Sequence, residues 1–341
     1  MKRFTLKSLL YSVPIIIPII IFVFFINPYL LGDIGPLGYV TFPKNYGKYT
    51  LKEKNKMINC GYNYSALNDS CILTIGDSFS EGISYNYFLN LKTDYNVVNL
   101  AKQVHTVSPF TRFLYLSKTQ NLPRIVIVET VERHLVERLC ELSVSSSTEL
   151  MIAKNGIDTL IISNKKSKQK TILEKTQEWA KRKIGYKNPI EFSMLNKECF
   201  TCEGKEKSLY FYYEDINKIP RKEGSLNKAI MNLDSLFTYA ESIGVELYVL
   251  VAADKYDIYQ DYIIDNPYPK QDLLERLSIV YPHSKIINSK DTLSKMVAKG
   301  VLDVYWCNNT HWSPMGAEAV ADMIVEKINR CEKDTIFLYS K

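Results

Sequence analysis

Histidine is scarce in this chain, with four residues among 341. Neither sign of charge dominates either, because 43 Lys and Arg stand against 37 Asp and Glu. Three basic residues near the N-terminus, Lys2, Arg3 and Lys7, account for half of the net charge of +6. The rest of the chain has no Lys/Arg-rich stripe with interleaved aromatic residues, which is the footprint of a nucleic-acid-binding protein. We therefore predict no nucleic-acid partner.

Internal repeats and low-complexity tracts are also absent from the sequence. Hydrophobic residues make up 46% and charged residues 23% of the chain, close to the averages of globular proteins. These values exclude wholesale disorder, a collagen-like fibre and a multi-span membrane channel. The length of 341 residues fits one elaborated domain or two modest ones.

One long apolar run lies near the N-terminus, where no charged residue occurs between Leu9 and Leu31. About 20 apolar helical residues span the hydrocarbon core of a bilayer. Residues 27–31 offer no small-residue cleavage site, so we favour an uncleaved anchor over a signal peptide. The basic residues before the run indicate a cytoplasmic N-terminus. The sequence thus predicts a cytoplasmic tail at 1–8, a single transmembrane anchor at 9–31, and an extracytoplasmic remainder on the periplasmic or cell-surface side.

The seven cysteines are an odd number, so at least one thiol is free or takes part in an intermolecular bond. Disulfides are compatible with an extracytoplasmic location, but their pairing cannot be deduced from sequence. The nearest pairs are Cys60 with Cys71 and Cys199 with Cys202. No second CxxC and no His pair follows Cys202 at zinc-finger spacing, so we predict neither a metal nor a cofactor.

Short apolar runs alternate with helical segments from Cys71 onward. Continuous, β-branched runs of this length are typical of buried parallel strands. The predicted strands are Ile72–Ile75, Asn96–Leu100, Ile125–Val128, Val245–Val251 and Lys285–Ile287. The predicted helices are Glu81–Leu91, Pro109–Thr119, Leu226–Ser242, Asp272–Ile279, Thr292–Ala298 and Pro314–Asn329. This alternation predicts an α/β fold with an open parallel sheet covered on both faces.

Two segments do not follow the alternation. Residues 32–70 lack clear periodicity and are interpreted as a stalk or linker. Residues from about 141 to 223 are rich in Ser, Lys, Thr and Glu and are interpreted as an insertion between the third and fourth strands. We therefore predict one domain at 71–341 that carries this insertion.

Ser78 lies where the first predicted strand runs into a helix, in the sequence Gly76-Asp77-Ser78-Phe79. A tight turn at the carboxyl end of a parallel strand exposes a serine Oγ among backbone N–H groups, as an acyl-transfer nucleophile requires. The tripeptide alone is also ordinary turn and N-cap chemistry. Its position, rather than its composition, indicates catalysis.

His311 precedes the last predicted helix, in Thr310-His311-Trp312-Ser313-Pro314. An imidazole at the start of this helix can reach the carboxyl edge of the sheet, which makes His311 the natural general base. The alternative is a surface loop that Trp312 anchors by packing.

Together the two motifs resemble the SGNH/GDSL hydrolase superfamily, in particular its AlgX/AlgJ-like, DHHW-type branch. Two further segments strengthen the resemblance, Glu129-x-x-x-Arg133 after the third strand and Lys255-x-x-x-Tyr259 after the fourth. The resemblance covers about residues 71–330 without the insertion. It implies a flavodoxin-like, three-layer α/β/α domain in which Ser78 attacks an ester and His311 takes its proton. Members of this branch are typically exported O-acetyltransferases or esterases that act on cell-surface polysaccharides.

The sequence departs from the family pattern at the triad acid, since the two places before the histidine hold Asn308 and Asn309 rather than Asp. An amide oxygen can accept the imidazole N–H but cannot offset the charge of the imidazolium. Three alternatives stay open: Asn309 or Asn308 orients the ring, Asp303 or another acid substitutes, or the site has lost its hydrolytic activity.

A second departure concerns the oxyanion hole, because the second-block Gly and third-block Asn of the superfamily are not evident. The backbone N–H of Ser78 and the side chain of Arg133 are then the expected donors, with Asp77 in support. Lys255 and Trp312 are expected at the substrate, and the alternative for Arg133 and Lys255 is a solvated or salt-bridged charge.

From these residues we predict a membrane-anchored O-acyl, most simply O-acetyl, transferase or esterase that works through a Ser78 acyl-enzyme. The expected partners are a cell-surface polysaccharide and a multi-span membrane acyltransferase. The alternative is a catalytically degenerate protein of the same fold that binds glycan or acts as a scaffold.

Overall fold

The computed structural model describes residues 13–14, 16–18, 67–81, 84–100, 107–142, 190–216, 224–281 and 285–339. The predicted tail at 1–8 and nearly all of the predicted anchor and stalk lie outside these residues. In the ranges that are described, no helix combines the length and the hydropathy that crossing a membrane requires. The anchor therefore stays a prediction.

Seven strands and eight α-helices make up the described part of the chain. The strands are β1 (Cys71–Ile75), β2 (Asn96–Asn99), β3 (Ile125–Val131), β4 (Ile190–Met194), β5 (Ser208–Tyr212), β6 (Glu246–Ala252) and β7 (Ile286–Asn288). The helices are α1 (Tyr85–Lys92), α2 (Pro109–Thr119), α3 (Glu132–Glu141), α4 (Ser225–Ser242), α5 (Lys255–Tyr259), α6 (Leu273–Val280), α7 (Ser289–Ala298) and α8 (Pro314–Tyr339).

Five strands form a parallel sheet in the order β2-β1-β3-β6-β7. The central strands β1 and β3 are buried along their whole length, as their unbroken apolar sequences predict. If the five strands of this sheet are numbered one to five along the chain, leaving out β4 and β5, their order is 2-1-3-4-5, which is the order of flavodoxin-like sheets. In such sheets the ligand crevice lies beyond the carboxyl ends of the strands where the order reverses, here at β1 and β3.

Helices cover both faces of this sheet. Lys92 on α1 makes ion pairs of 3.0 and 2.8 Å with Glu318 and Asp322 on α8. Ser117 on α2 lies 2.9 Å from the hydroxyl of Tyr239 on α4. Right-handed crossovers place these two helix pairs on opposite faces. The α/β architecture expected from the alternation of strands and helices is therefore confirmed.

All five predicted strands and six predicted helices are present, although α8 continues to Tyr339. Two helices were not predicted. Helix α3 begins directly after Val131, the last residue of β3, with no turn residue between the two elements. Helix α5 has only five residues, too few to show a helical period.

The predicted insertion contains a two-stranded antiparallel hairpin, in which β4 pairs with β5 from Ile190–Tyr212 to Met194–Ser208. The loop between the two strands lies against the segment that leads to His311, because the Asp303 N–H donates to the carbonyl of Cys199 at 2.9 Å. Most of the insertion, residues 143–189, falls outside the described ranges.

A disulfide fastens this contact by joining Cys202 to Cys307 across 105 positions of the chain. The pairing that the sequence left open is thus not between the near neighbours Cys199 and Cys202, because folding brings Cys307 alongside Cys202. Cys199 keeps a buried thiol, and burial raises the pKa of that thiol to about 11. The other nearest pair includes Cys60, which lies outside the described residues.

Candidate active site

Ser78 opens a single 3-10 turn, Ser78–Ser80, just beyond the carboxyl end of β1. The turn is closed by hydrogen bonds from the Ser80 N–H to the Asp77 carbonyl (3.0 Å) and from the Glu81 N–H to the Ser78 carbonyl (3.2 Å). Phe79 and Ser80 are buried, whereas Ser78 is partly exposed. The turn thus holds the neighbours of Ser78 in the core and presents its hydroxyl at the crevice.

A carboxylate from β3 supports this turn from below. One oxygen of Glu129 accepts hydrogen bonds from the Asp77 N–H (2.6 Å) and the Ser80 hydroxyl (2.8 Å). Gly76 has to be glycine here, because a Cβ would lie 1.9 Å from the Ser80 Oγ and 2.6 Å from the Glu129 Oε2. In the sequence Glu129 stands out only as part of the Glu-x-x-x-Arg motif, which does not indicate this role.

Burial, and after it the nearby Asp77 carboxylate, raise the pKa of Glu129, whereas the hydrogen bond from Ser80 lowers it, and together these effects bring the pKa to about 8. Glu129 is fully buried, so its charged form loses most of its hydration. The turn that carries Ser78 is therefore supported by a carboxyl group whose pKa lies well above its usual range.

Asp77 faces Arg138 on α3, which pairs with both of its carboxylate oxygens. The same guanidinium donates to the Thr130 hydroxyl at 2.7 Å. Asp77 was expected to support the oxyanion hole. In the structure its ion pair with Arg138 ties the turn before Ser78 to α3. Arg138 was not among the predicted site residues, because α3 itself was not predicted and no helical spacing pointed to this residue.

Arg133 does not support an oxyanion as expected. Its Nη1 lies 2.5 Å from Asp254 and 3.3 Å from Asp215, both of which are fully buried. Its guanidinium also lies over the ring of Tyr212, 5.2 Å from the centroid. Arg133 therefore ties the ends of β3, β5 and β6 together, and the salt-bridged alternative describes it better, although the pair is buried rather than at the surface.

His311 reaches Ser78 from a loop whose ends pair through the bridge between Tyr305 and Trp312. Its Nε2 lies 2.6 Å from the Ser78 Oγ. The imidazole packs on the ring of Phe79, with 4.6 Å between the centroids. Two residues 233 positions apart in the chain are thus within hydrogen-bonding distance, and Phe79 fixes the ring from the nucleophile side.

Asn309 is the residue that contacts the other ring nitrogen, with its Oδ1 2.5 Å from Nδ1. The same oxygen accepts the backbone N–H of His311 at 3.0 Å. A backbone N–H can only donate, so the amide has to turn its oxygen toward His311, and Nδ1 then has to carry the proton. Nε2 is left unprotonated toward Ser78, which is the tautomer that a general base needs.

The two other candidates for the third member occupy different positions. Asn308 is buried in the same turn, next to the residue that takes the Nδ1 position. Asp303 accepts hydrogen bonds from the N–H (2.9 Å) and hydroxyl (2.5 Å) of Thr201 in the hairpin loop. Among the alternatives left open by the sequence, the geometry therefore selects Asn309.

Lys255 and Trp312 were expected at the substrate, and the structure places both in the interior. Lys255 is 1% exposed, and its ammonium is enclosed by main-chain carbonyls. Trp312 is 4% exposed and meets Phe79 edge-on at 4.7 Å. Trp312 thus fits the alternative in which it anchors the loop by packing. Lys255 was expected either at the substrate or as a solvated or salt-bridged charge, and its burial among carbonyl groups matches neither expectation.

The site contains a hydroxyl, an imidazole in the basic tautomer and an amide that orients the imidazole. This set can transfer a proton and form an acyl-serine, and the group that contacts Nδ1 is an amide rather than a carboxylate. Among the described residues, no group of three or more His, Cys, Asp or Glu is placed to hold a metal ion.

Comparison with known families agrees with this class of site. Residues 203–336 match the family described as "SGNH hydrolase-like domain, acetyltransferase AlgX". The matched segment includes the loop with Asn309 and His311 and begins after Ser78. The resemblance to the AlgX-like branch of the SGNH hydrolases is thereby confirmed over these residues. No curated protein and no solved structure gave a match.

Proposed function

We propose that this protein is a serine-dependent O-acyltransferase or esterase that moves an acyl group, in the simplest case acetyl, to or from a cell-surface polysaccharide. The observation that carries the proposal is the 2.6 Å contact between the Ser78 Oγ and the Nε2 of His311, with Asn309 behind the ring. The acetyl group rests on the AlgX-like match, since that family's description names an acetyltransferase. The polysaccharide rests on the resemblance to the AlgX-like branch.

In the first half-reaction the Ser78 Oγ attacks the acyl carbonyl while the Nε2 of His311 takes its proton. The developing oxyanion forms next to the backbone N–H of Ser78 at the start of the 3-10 turn. When the ester C–O bond breaks, the protonated His311 gives its proton to the departing alkoxide, which leaves an acyl-Ser78. A sugar hydroxyl or water then attacks the acyl group and gives its proton to His311. When the bond between the acyl group and the Ser78 Oγ breaks, His311 returns this proton to the Oγ, which regenerates Ser78 and leaves a new ester or a carboxylic acid.

The proposal is tested by labelling the full-length protein with a fluorophosphonate probe and locating the adduct by mass spectrometry. We expect the adduct on Ser78 and its loss in Ser78→Ala and His311→Ala. Ser235→Ala, an exposed helical serine on α4, is the matched control and should label like the wild type. Undiminished labelling of a folded Ser78→Ala variant would rule out this nucleophile.

A second candidate function follows from the amide at position 309, because an oriented but uncompensated imidazole also suits a degenerate site that binds glycan or serves as a scaffold. The two functions differ in the probe experiment. A catalytic protein is labelled and hydrolyses p-nitrophenyl acetate, whereas a degenerate protein does neither and still retains immobilised polysaccharide.

We further propose that the domain lies outside the cytoplasm on an N-terminal anchor, beside a multi-span acyltransferase that supplies the acyl group. The apolar run at 9–31 and the disulfide between Cys202 and Cys307 support this placement, because disulfides persist in oxidising compartments. A carboxyl-terminal reporter enzyme that is active only after export should be active when fused to the full chain. An inactive reporter on a stable fusion would contradict the placement.

A further inference from the structure

Helix α5 lies behind the loop that carries Asn309 and His311. Its first residue, Lys255, donates to the carbonyl oxygens of Trp306 at 2.8 Å, Cys307 at 3.3 Å and Asn309 at 3.1 Å. An ammonium group has three N–H donors. Since carbonyl oxygens occupy all three, Lys255 has no donor left for a substrate.

These hydrogen bonds shape the loop. The three carbonyl groups belong to residues within four positions of the chain, and their oxygens converge on one point that the ammonium occupies. Without a cation there, three carbonyl dipoles would point at each other in a buried space, which is unfavourable. The loop would have to open, and the main chain of Asn309 would move with it.

The position of Asn309 sets the orientation of His311. Its side-chain oxygen accepts hydrogen bonds from the Nδ1–H and the backbone N–H of His311. Its main-chain oxygen accepts a hydrogen bond from the ammonium of Lys255. A shift of this residue therefore weakens the contact that fixes the imidazole tautomer. The contacts run in one line from Lys255 through Asn309 and His311 to Ser78.

We propose that Lys255 is a positioning residue, which holds the loop from behind so that Asn309 keeps His311 in the basic tautomer facing Ser78. Because the catalytic residues are partly exposed and Lys255 is 1% exposed, it acts from within the core and never touches the substrate. This inference rests on the proposed function for its kinetic readout.

The kinetic test compares Lys255→Met with the wild type in p-nitrophenyl acetate hydrolysis by the full-length protein. We expect kcat to fall about 10- to 100-fold with KM changed less than about twofold, because a misplaced catalytic group affects the chemical step rather than binding. The matched control is Lys197→Met. Lys197 also donates to a main-chain carbonyl, that of Val297 at 2.7 Å, but outside the active-site loop, and its variant should keep the wild-type kcat.

A double-mutant cycle separates positioning from a general loss of structure. If Lys255 acts through Asn309, adding Lys255→Met to Asn309→Ala should lower kcat by less than about twofold more. Multiplied losses, or an equal loss in Lys197→Met, would overturn the proposal.

A spectroscopic readout does not depend on activity. The Nδ1 proton of His311 lies in a 2.5 Å contact and should give a downfield proton NMR resonance that disappears in Lys255→Met and persists in Lys197→Met. Failure of the proposed function would abolish hydrolysis in the wild type but leave this resonance test intact. If thermal melting shows that Lys255→Met does not fold, Lys255→Gln, which keeps a donor, should retain a weakened resonance. A resonance unchanged in a folded Lys255 variant would refute the inference.

Discussion

Replacing Asn309 by Asp tests the proposed chemistry most directly. The amide oxygen accepts two N–H groups of His311, at 2.5 and 3.0 Å, and a carboxylate oxygen of the same shape accepts both equally well. The substitution therefore keeps the tautomer and the geometry and changes only the charge beside the ring. On the pH plateau, where free His311 is neutral, the imidazolium forms only as Ser78 gives up its proton, so the new charge stabilises the transition state; at lower pH the same charge stabilises the imidazolium of the free enzyme.

The magnitude follows from the distance between the charges. Two opposite unit charges about 4 Å apart attract by about 4 kcal/mol at an effective dielectric constant of 20. Two features of the structure reduce this value: the site is partly exposed, and the ammonium of Lys255 lies 3.1 Å from the main-chain oxygen of residue 309. If about half remains, the imidazolium gains about 2 kcal/mol, which corresponds to about thirtyfold in rate.

The assay is the pH dependence of kcat/KM for p-nitrophenyl acetate. We expect Asn309→Asp to raise the plateau about thirtyfold and to move the acid limb upward by about 1.5 pH units, because a stabilised imidazolium is deprotonated at higher pH. Asn308→Asp adds the same charge to the same loop without the ring contact and should change the plateau less than about threefold. A folded Asn309→Asp protein with an unchanged or lower plateau and an unmoved acid limb would refute the reasoning.

Three further predictions concern the turn and the loop that form the site. The fold raises the pKa of Glu129 from 4.5 to about 8, so between these pH values the native state holds a proton that the unfolded state has lost. The stability of the wild type should therefore fall as the pH rises through this range. The melting temperature of Glu129→Gln should fall less than that of the wild type over the same range. Gly76→Ala places a Cβ 1.9 and 2.6 Å from two buried oxygens, so it should lower the free energy of unfolding by about 1–3 kcal/mol and abolish probe labelling. The control is Gly300→Ala, whose Cβ would have no atom within 4 Å. It should lower the free energy of unfolding by about 1 kcal/mol and be labelled normally. Replacing Cys202 and Cys307 by Ser should lower the free energy of unfolding by about 2–4 kcal/mol in denaturant titrations, and an unchanged value would show that the disulfide does not form.

Local signals in the sequence predicted the scaffold well. Apolar runs such as Ile72–Ile75 and Ile125–Val128 are long and β-branched enough to be recognised as buried strands without any neighbour. Ser313-Pro314 predicted where the last helix begins, and α8 does start at Pro314. Each of these features depends on a few adjacent residues, so each is readable from the chain alone.

The positions of the predicted site residues agree with the structure where one motif carried the geometry and differ where a partner from elsewhere decided it. Ser78 and His311 were found because each lies at a turn next to a strand or helix end. Arg133 and Lys255 were misassigned, because a charged residue in a motif can face the crevice or the core, and only the packed neighbours distinguish the two.

By itself the sequence determined the order of the five sheet strands and of six helices, the turn that carries Ser78 and the histidine before the last helix, since periodicity and turn chemistry are local. Only the tertiary structure decided that Asn309 orients His311, that Glu129 and Arg138 fix the turn of Ser78, and that Cys202 pairs with Cys307. These contacts join segments that are distant in the chain or select one of several adjacent residues. They are set by how the whole sheet, its helices and the hairpin pack together, which no short stretch of sequence encodes.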